Sequence, residues 1–214
     1  MSERGEAVLR RREEDGALEL RVNGVFVMDT VETSSERVLA RATLSTVSPD
    51  RSMLTVLVGG LGLGYTLTEV LADPRVAYVT VAEIEPDLVA WHRRGLVPPT
   101  SPALEDPRTE IVVGDVRRVI ATQPAGSLDL VLLDVDNGPA YLVYDANAAV
   151  YELPFLQACG DTLASEGVLA VWSAAEAPQL AAAIEQVFGH VDQLVAPVTL
   201  GRRETTYHVL VGRR

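Results

Sequence analysis

Two carboxylates stand near the ends of apolar runs that are typical of buried strands. Glu83 lies near the end of VAYVTVAEI, and Asp115 ends TEIVVGD. A carboxylate at the first position can accept both hydroxyls of a ribose, and one at the second can accept an adenine amino proton. Glu85 would face the same side as Glu83, and the strand end favours Glu83. The pair predicts an adenosine site, with Ile84 and Val116 as neighbouring contacts.

A glycine-rich stretch, VLVGGLGLGYTLTEVL, places Gly60, Gly62 and Gly64 between a strand and a helix. Glycines at these positions let a ligand lie against the backbone, and the free N–H groups at the start of the helix can donate hydrogen bonds to that ligand. The spacing does not fit the dinucleotide pattern G-x-G-x-x-G, and a phosphate loop would need a lysine, which the chain lacks. The glycines therefore favour an adenosine ligand without a pyrophosphate, although an acid at a strand end is often only a helix cap.

A polar loop follows the apolar run SLDLVLLDVD. Asp134 ends that run, so desolvation should raise its pKa toward that of a useful base. Asp136 is the next acid in reach, Asn137 can accept or donate a hydrogen bond, and Tyr141 and Tyr144 could wall a substrate pocket. Asp134 and Asp136 are therefore the candidate catalytic residues, and Asp134 is also a candidate cofactor contact. The competing interpretation is a turn held by the Asp136 and Asn137 side chains.

Other candidates carry weaker signals. Glu36 could line the mouth of the site, or simply belong to a solvated helix face. Trp172 ends a strand, where it could border the substrate or pack in the core. His92 lies beside Arg93 and Arg94 and is expected to be exposed. No His, Cys or Asp group has the spacing of metal ligands, so no metal is expected.

The composition narrows the classes of function. Apolar residues make up 48% of the 214, and the net charge is −12. All 18 basic residues are arginine, so a Schiff-base lysine is excluded, and the acidic balance disfavours nucleic-acid binding. No secretory signal and no apolar run long enough to span a bilayer is found, so a cytoplasmic protein with no membrane association is expected. The lone Cys159 cannot form an intrachain disulfide.

These residues must be positioned by an alternation of strands and helices. Residues 1–15 are polar and expected to be flexible. Residues 16–48 predict a small hairpin, turning at Asn23-Gly24, and then a helix over 34–47. Pro49-Asp50 marks the boundary of a main domain, residues 49–214.

The main domain predicts an α/β fold. Strands are expected at 53–59, 76–84, 109–115, 127–136 and 167–173, with helices between them at 64–72, 86–95, 116–122 and 148–164. A helix over 177–188 precedes two runs without a helical pattern, 191–198 and 205–212, which predict an antiparallel pair. Such alternation predicts a Rossmann-like, mostly parallel sheet of seven strands with an antiparallel C-terminal strand.

Four segments together resemble a known group. VLVGGLGLG, VTVAEIEPDLV, IVVGDVRRVI and DLVLLDVDNGP resemble the class I S-adenosylmethionine-dependent methyltransferase fold, and most of all the spermidine synthase family of aminopropyltransferases. The resemblance covers about residues 16–214. It implies S-adenosylmethionine or its decarboxylated form as cofactor, Glu83 on the ribose and Asp115 on the adenine. It also implies that Asp134 faces the reacting centre and that Asp136 binds and activates an amine.

The chain departs from that family on the substrate side. The family has an acid inside the glycine loop, where this chain has Leu61 or Leu63. It has glutamine where this chain has Val27, and Tyr-His where this chain has Ser34-Ser35. The loop DVDNGP is two residues shorter than the family pattern. Loss of a carboxylate should weaken recognition of a polyamine ammonium.

Several functions remain open on the sequence alone. The favoured one is methyl transfer from S-adenosylmethionine to a small-molecule acceptor, and the alternative is aminopropyl transfer from the decarboxylated cofactor. A non-catalytic nucleotide-binding protein is a third possibility, and a nicotinamide-dependent oxidoreductase a fourth. A homodimer is expected, because the hairpin exposes strand edges that could pair across a two-fold axis.

Overall fold

A three-stranded antiparallel sheet forms the N-terminal part of the chain. The structure is a computed structural model that describes residues 5–200 and 203–214. Its strands are β1 (Ala7–Arg11), β2 (Leu18–Val22) and β3 (Val25–Asp29). The predicted hairpin is confirmed, since Asn23 and Gly24 both have the positive φ of a type I′ turn. Of the segment predicted to be flexible, 1–15, residues 1–4 lie outside the described residues, and residues 7–11 form β1, which pairs with β2.

The predicted Rossmann-like architecture is confirmed by a sheet of seven strands. The strands are β4 (Leu54–Gly59), β5 (Val76–Glu83), β6 (Thr109–Val113), β7 (Leu128–Leu133), β8 (Leu163–Ser173), β9 (Asp192–Leu200) and β10 (Arg203–Arg213). Neighbouring strands follow the order β6-β5-β4-β7-β8-β10-β9. The first five in this order are parallel, and β10 pairs antiparallel with both β8 and β9.

Among the described residues, six α-helices connect the strands, and two 3-10 segments occupy Ser101–Glu105 and Asp145–Tyr151. The α-helices are α1 (Ser34–Ser45), α2 (Tyr65–Leu71), α3 (Pro86–Arg93), α4 (Val116–Ala121), α5 (Leu153–Thr162) and α6 (Pro178–Phe188). The helix predicted over 148–164 is replaced by a 3-10 segment and the shorter α5. Pro154 has no N–H to donate, so it stands in the first turn of α5 rather than inside a longer helix.

The core lies on both faces of the large sheet. One cluster joins α1 and α2 to the sheet around Leu39 and Val56, and another joins α4, α5 and α6 around Leu57 and Leu156. Each fully buried side chain of this kind contributes about 1.5–3 kcal/mol to folding. A third cluster packs the N-terminal sheet against Leu63 and α3. No helix within residues 5–200 and 203–214 is long and apolar enough to cross a bilayer.

Candidate functional site

The carboxyl ends of the parallel strands open into a cavity of about 910 Å³ of empty volume, including its mouth. Ligands in open α/β sheets bind at this edge. The N-terminal sheet closes one side through Leu20, Val22, Val27 and Met28. Twelve of the residues singled out from the sequence line the cavity: Glu36, Gly60, Gly62, Glu83, Ile84, Asp115, Val116, Asp134, Asp136, Asn137, Tyr144 and Trp172.

The glycine-rich loop reaches the cavity through two of its three glycines. Gly60 has a φ of 96°, and a Cβ there would lie against the Asp134 carbonyl oxygen, so no larger residue fits. Gly62 also lines the cavity. Gly64 does not line it and instead caps α2, packed against Thr100 and His92. Its contact is therefore with protein rather than with the cavity.

Glu83 ties the glycine-rich loop to the end of β5. Its carboxylate accepts hydrogen bonds from the backbone N–H of Leu61 at 2.8 Å and of Glu85 at 2.7 Å. Burial raises its pKa, and the backbone bonds oppose that shift. The sequence favours Glu83 over Glu85 as the ligand contact, but Glu85 also lines the cavity. It accepts a 2.8 Å hydrogen bond from the Tyr144 hydroxyl. The two acids hold different parts of the cavity wall.

Asp115 presents a charged acceptor at the end of β6. It caps α4 by accepting from the Arg117 backbone N–H at 2.9 Å, and it pairs with the Arg117 guanidinium at 2.5 Å. That pairing lowers the pKa of the Asp115 carboxyl. The helix-cap interpretation and a place in the cavity lining are therefore both realised.

Asp134 follows β7 directly and lies partly buried at the centre of the strand edge. Its backbone N–H donates to Gly59 at 2.8 Å, which fixes it beside the glycine-rich loop. The Thr66 hydroxyl donates to its Oδ2 at 2.6 Å. Desolvation raises the pKa of the side chain from 3.8 to about 6, with the Thr66 bond opposing the shift. A carboxylate with this pKa can exchange a proton near neutral pH.

Asp136 is held in place by a residue that the sequence did not single out. The Asn147 amide donates to both carboxylate oxygens, at 2.9 and 3.0 Å. Asp136 has a φ of 53°, and burial raises its pKa. Asn147 lies on the 3-10 segment after the loop, is 6% exposed and lines the cavity. Only the fold of the loop brings it back to Asp136, so no local pattern marks it.

The remaining loop candidates separate into two groups. Asn137 lines the cavity, and its amide donates to the Phe26 carbonyl at 3.1 Å, which ties the loop to β3. Tyr144 also lines the cavity, and its hydroxyl donates a hydrogen bond to Glu85. Tyr141 is 58% exposed and does not line the cavity, because it lies on the outer side of the loop's turn.

Glu36 and Trp172 close the end of the cavity nearest β8. Glu36 is 7% exposed, so the solvated helix face considered for it was wrong. The Trp172 ring lies 5.0 Å from that of Tyr207, and its indole nitrogen has no hydrogen-bond partner among the described residues. Trp172 therefore both packs on the core and lines the cavity.

His92 was expected to be exposed, and the structure overturns this. It is 1% exposed, and its Nε2 lies 3.0 Å from the Gly62 carbonyl oxygen. The helical spacing of His92 from apolar residues indicates burial, but the neighbouring arginines suggested an exposed position. His92 stands three and four residues after the buried Val89 and Leu88, so the helical repeat turns it inward.

The charge of the cavity lining is one-sided. Six carboxylates line it, and within the described parts of the chain no arginine side chain does. The acids are Glu36, Glu83, Glu85, Asp115, Asp134 and Asp136. Such a lining attracts cations and repels anions. No group of three or more His, Cys, Asp or Glu suited to a metal ion occurs among residues 5–200 and 203–214.

Comparison with known sequences gives one family and two kinds of relative. The profile of the Spermine/spermidine synthase domain matches residues 32–199. Putrescine N-methyltransferase 1 of Nicotiana tabacum is 31% identical over 116 residues, which are 53% of this chain and 29% of that enzyme. The polyamine aminopropyltransferase of Thermoanaerobacter sp. (strain X514) is 36% identical over 102 residues, which are 46% of this chain and 36% of that enzyme. Each alignment thus spans about a third of the relative.

Solved structures share the fold along the whole chain. A spermidine synthase in complex with the transition state analogue AdoDATO matches with a TM-score of 0.83 and 20% identity, over 100% of this chain and 71% of that one. Spermidine synthase from Thermotoga maritima matches with a TM-score of 0.80 and 20% identity, over 100% of this chain and 70% of that one. At this identity the likeness establishes the architecture alone.

Proposed function

Because the chain belongs to the spermine/spermidine synthase domain family, we propose that it transfers a carbon group from an S-adenosyl sulfonium compound to an amine. The observation that carries the proposal is the cavity, which six carboxylates, Asp134 among them, and no arginine of the described residues line. A sulfonium and an ammonium are both cations, so one acidic cavity suits both reactants. The curated relatives, named for putrescine and polyamine transfer, support an amine acceptor.

The residues divide the proposed work by their place along the strand edge. Glu83 and Asp115 would hold the ribose and the adenine, with Ile84, Val116, Gly60 and Gly62 against the nucleoside. When bound, the sulfonium supplies a carbon that an amine can attack, so that a C–N bond forms as the C–S bond breaks. Asp134 would accept the proton that the amine must lose. Asp136 would bind and orient the amine, held by Asn147.

Methyl transfer from intact S-adenosylmethionine is the form of the reaction we favour. Leu61 and Leu63, which stand where the family has an acid, are 4% and 0% exposed and do not line the cavity. The loop therefore offers no carboxylate for a polyamine ammonium, which disfavours aminopropyl transfer to a polyamine. Similarity to the putrescine N-methyltransferases supports the same choice.

Aminopropyl transfer is the second candidate, and one observation favours it. Intact S-adenosylmethionine carries a carboxylate, and no arginine side chain lines the described cavity to pair with it. The decarboxylated cofactor lacks that group and carries one more net positive charge. An acidic cavity would bind it well on charge alone.

A calorimetric titration with the two cofactors, run side by side, tests the proposal. Tighter binding of intact S-adenosylmethionine supports methyl transfer, and tighter binding of the decarboxylated form supports aminopropyl transfer. The protein is then incubated with the preferred cofactor and a panel of diamines, polyamines and neutral alcohols, and the mass gained by each acceptor is measured. Cofactor binding without product would favour the non-catalytic alternative, and failure to bind either cofactor would refute the proposed function.

A further inference from the structure

Two carbonyl groups of the glycine-rich loop are bound by side chains that do not line the cavity. The Gly62 carbonyl lies 3.0 Å from His92 Nε2, and the Leu63 carbonyl accepts a hydrogen bond from the Thr100 hydroxyl. His92 lies on α3, and Thr100 precedes the 3-10 segment that starts at Ser101. Both side chains are 1% exposed. The loop is thus bound from a separate part of the chain, some thirty residues beyond it.

Packing reinforces the two hydrogen bonds. A Cβ on Gly64 would lie 3.0 Å from the Thr100 Cβ and 3.1 Å from the His92 Cε1. A Cβ at these distances would push His92 and Thr100 away from the loop, and Gly64 also has a φ of 84°, so the glycine favours their close approach. The third glycine of the motif therefore serves this contact rather than a ligand.

The hydrogen bond and the burial of His92 together define its tautomer and its charge. A carbonyl oxygen only accepts, so Nε2 must carry the hydrogen. Nδ1 is then a lone-pair acceptor, and it has no partner among the described residues. Burial lowers the pKa of the ring, which keeps it neutral. An apolar side chain would fill the same space without an unpartnered nitrogen, so packing alone does not account for a histidine here.

The opposite side of the loop is bound by Glu83. That carboxylate accepts from the Leu61 N–H, while His92 and Thr100 bind the next two carbonyls. Donors and acceptors of successive peptide groups are thus fixed from two directions. Gly60 and Gly62, the loop residues that line the cavity, have little freedom to rotate.

We propose that His92 and Thr100 are positioning residues, which hold the glycine-rich loop in the conformation that binds the sulfonium cofactor. The inference rests on the proposed function of the same site. Neither residue touches the cavity, so each acts through the loop. Removal of either hydrogen bond should weaken cofactor binding without a comparable effect on the acceptor.

The test uses isosteric substitutions and a matched control. Thr100→Val removes the hydroxyl and keeps the shape, whereas Thr100→Ser keeps the hydroxyl. His92→Leu removes the donor, whereas His92→Gln keeps an N–H of similar reach. Thr162→Val is the control, because the buried Thr162 hydroxyl donates to the Cys159 carbonyl at 2.8 Å, far from the cavity lining. Calorimetry gives the Kd of S-adenosylmethionine or its decarboxylated form, whichever the wild-type chain binds.

We expect Thr100→Val and His92→Leu each to raise the cofactor Kd about tenfold, the effect of losing one hydrogen bond. The acceptor KM at saturating cofactor should change less than twofold, and Thr100→Ser and His92→Gln should restore most of the affinity. Thr162→Val should lower the Tm and leave the Kd unchanged. If one variant does not fold, the other decides, because each removes a single bond.

Three negative results have different meanings. If Thr100→Val and His92→Leu lower the Tm but bind the cofactor as the wild type does, the residues are merely structural and the inference is overturned. If the wild-type chain binds neither cofactor, the proposed function fails and the inference falls with it. Equal loss of cofactor and acceptor binding would also overturn the inference, since it would indicate general disruption of the cavity.

Discussion

At the residue scale, Asp134 and Asp136 stand two positions apart in surroundings that suit different tasks. Asp134 accepts one neutral hydroxyl, from Thr66, and desolvation raises its pKa to about 6. Asp136 accepts twice from the Asn147 amide, which opposes the effect of burial on its pKa. The first is thus the better proton acceptor near neutral pH, and the second is the better fixed anion.

The activity should depend on the ionisation of Asp134. Its carboxylate form is lost as the pH falls below about 6, so kcat should drop on the acid side with an apparent pKa near that value. Asp134→Asn should lower kcat by about 10²–10⁴, a larger factor than the accompanying rise in the cofactor Kd. Steady-state rates from pH 5 to 9 and calorimetry check both. An unchanged acid limb in an Asp134→Asn chain that still turns over would remove Asp134 from the chemistry.

The same residue should lower stability at high pH. Its pKa is higher in the folded chain, about 6, than the ordinary 3.8 expected when unfolded, so the folded state binds the proton more tightly. Above pH 6 the ionised side chain should reduce the free energy of unfolding by up to roughly 3 kcal/mol, and below about pH 4 this penalty should vanish. Asp134→Asn should therefore raise the Tm at pH 8 but hardly at pH 4.

Thermal melts at both pH values measure this effect. Asp50→Asn, which removes one exposed acid from a chain of net charge −12, controls for the general loss of repulsion. Equal gains for the two variants at pH 8 would show that burial of Asp134 is not the cause.

At the element scale, the carboxyl ends of the parallel strands form the candidate site. The ends of β4, β5, β6 and β7 deliver the glycine-rich loop, Glu83, Asp115 and Asp134 to one edge of the sheet. The loop after β7 then bridges the cavity, tied to β3 through Asn137 and to the end of β5 through Tyr144. In the proposed function, the strand ends would hold the nucleoside, and loops from other parts of the chain would complete the acceptor side.

Gly60→Ala tests how closely the two strand ends must approach. An alanine would place its Cβ against the Asp134 carbonyl oxygen at a φ of 96°, so we expect loss of cofactor binding and a fall in stability of several kcal/mol. Gly126→Ala is the matched control, because Gly126 also has a positive φ, 69°, but nothing lies within 4 Å of its Cβ. It should cost about 1 kcal/mol and leave binding intact. Urea unfolding and calorimetry compare the two, and equal effects would refute the packing argument.

The division between strand ends and loops explains how much of the site could be predicted from the sequence. Buried parallel strands are apolar runs, so their ends, and with them Glu83, Asp115 and Asp134, could be placed from the sequence. Asn147 and Thr100 could not, because their partners lie 11 and 37 residues away and are reached only through the path of a loop. A resemblance to a family supplied the roles, since fold and periodicity do not assign them.

At the scale of the whole molecule, charge and cavity act together. The net charge of −12 and the six carboxylates of the cavity draw cations toward the same opening. The arginines that pair with acids do so mostly outside it, as Arg37 and Arg41 do with Glu69. The acidic field in the cavity is therefore left largely uncompensated by basic side chains in its lining.

Binding of a cationic acceptor should consequently weaken with salt. Raising sodium chloride from about 50 to 500 mM shortens the screening length, so kcat/KM for a diamine should fall several-fold. The uncharged 5′-methylthioadenosine serves as the control, and its Kd should change little. Rates and calorimetry over a salt series measure both. A diamine kcat/KM that is independent of salt would contradict a role for the acidic field.

The place of β10 inside the sheet has a consequence for biosynthesis. Residues 203–213 lie between β8 and β9, although they are made after both. When β9 has been synthesised and β10 has not, β8 has an unpaired edge and β9 has no strand to pair with. Such an unpaired edge is a template for aggregation. Ribosomal stalling or premature termination before residue 203 should therefore yield a product for chaperones and proteases, whereas a chain that includes β10 can fill the gap between β8 and β9.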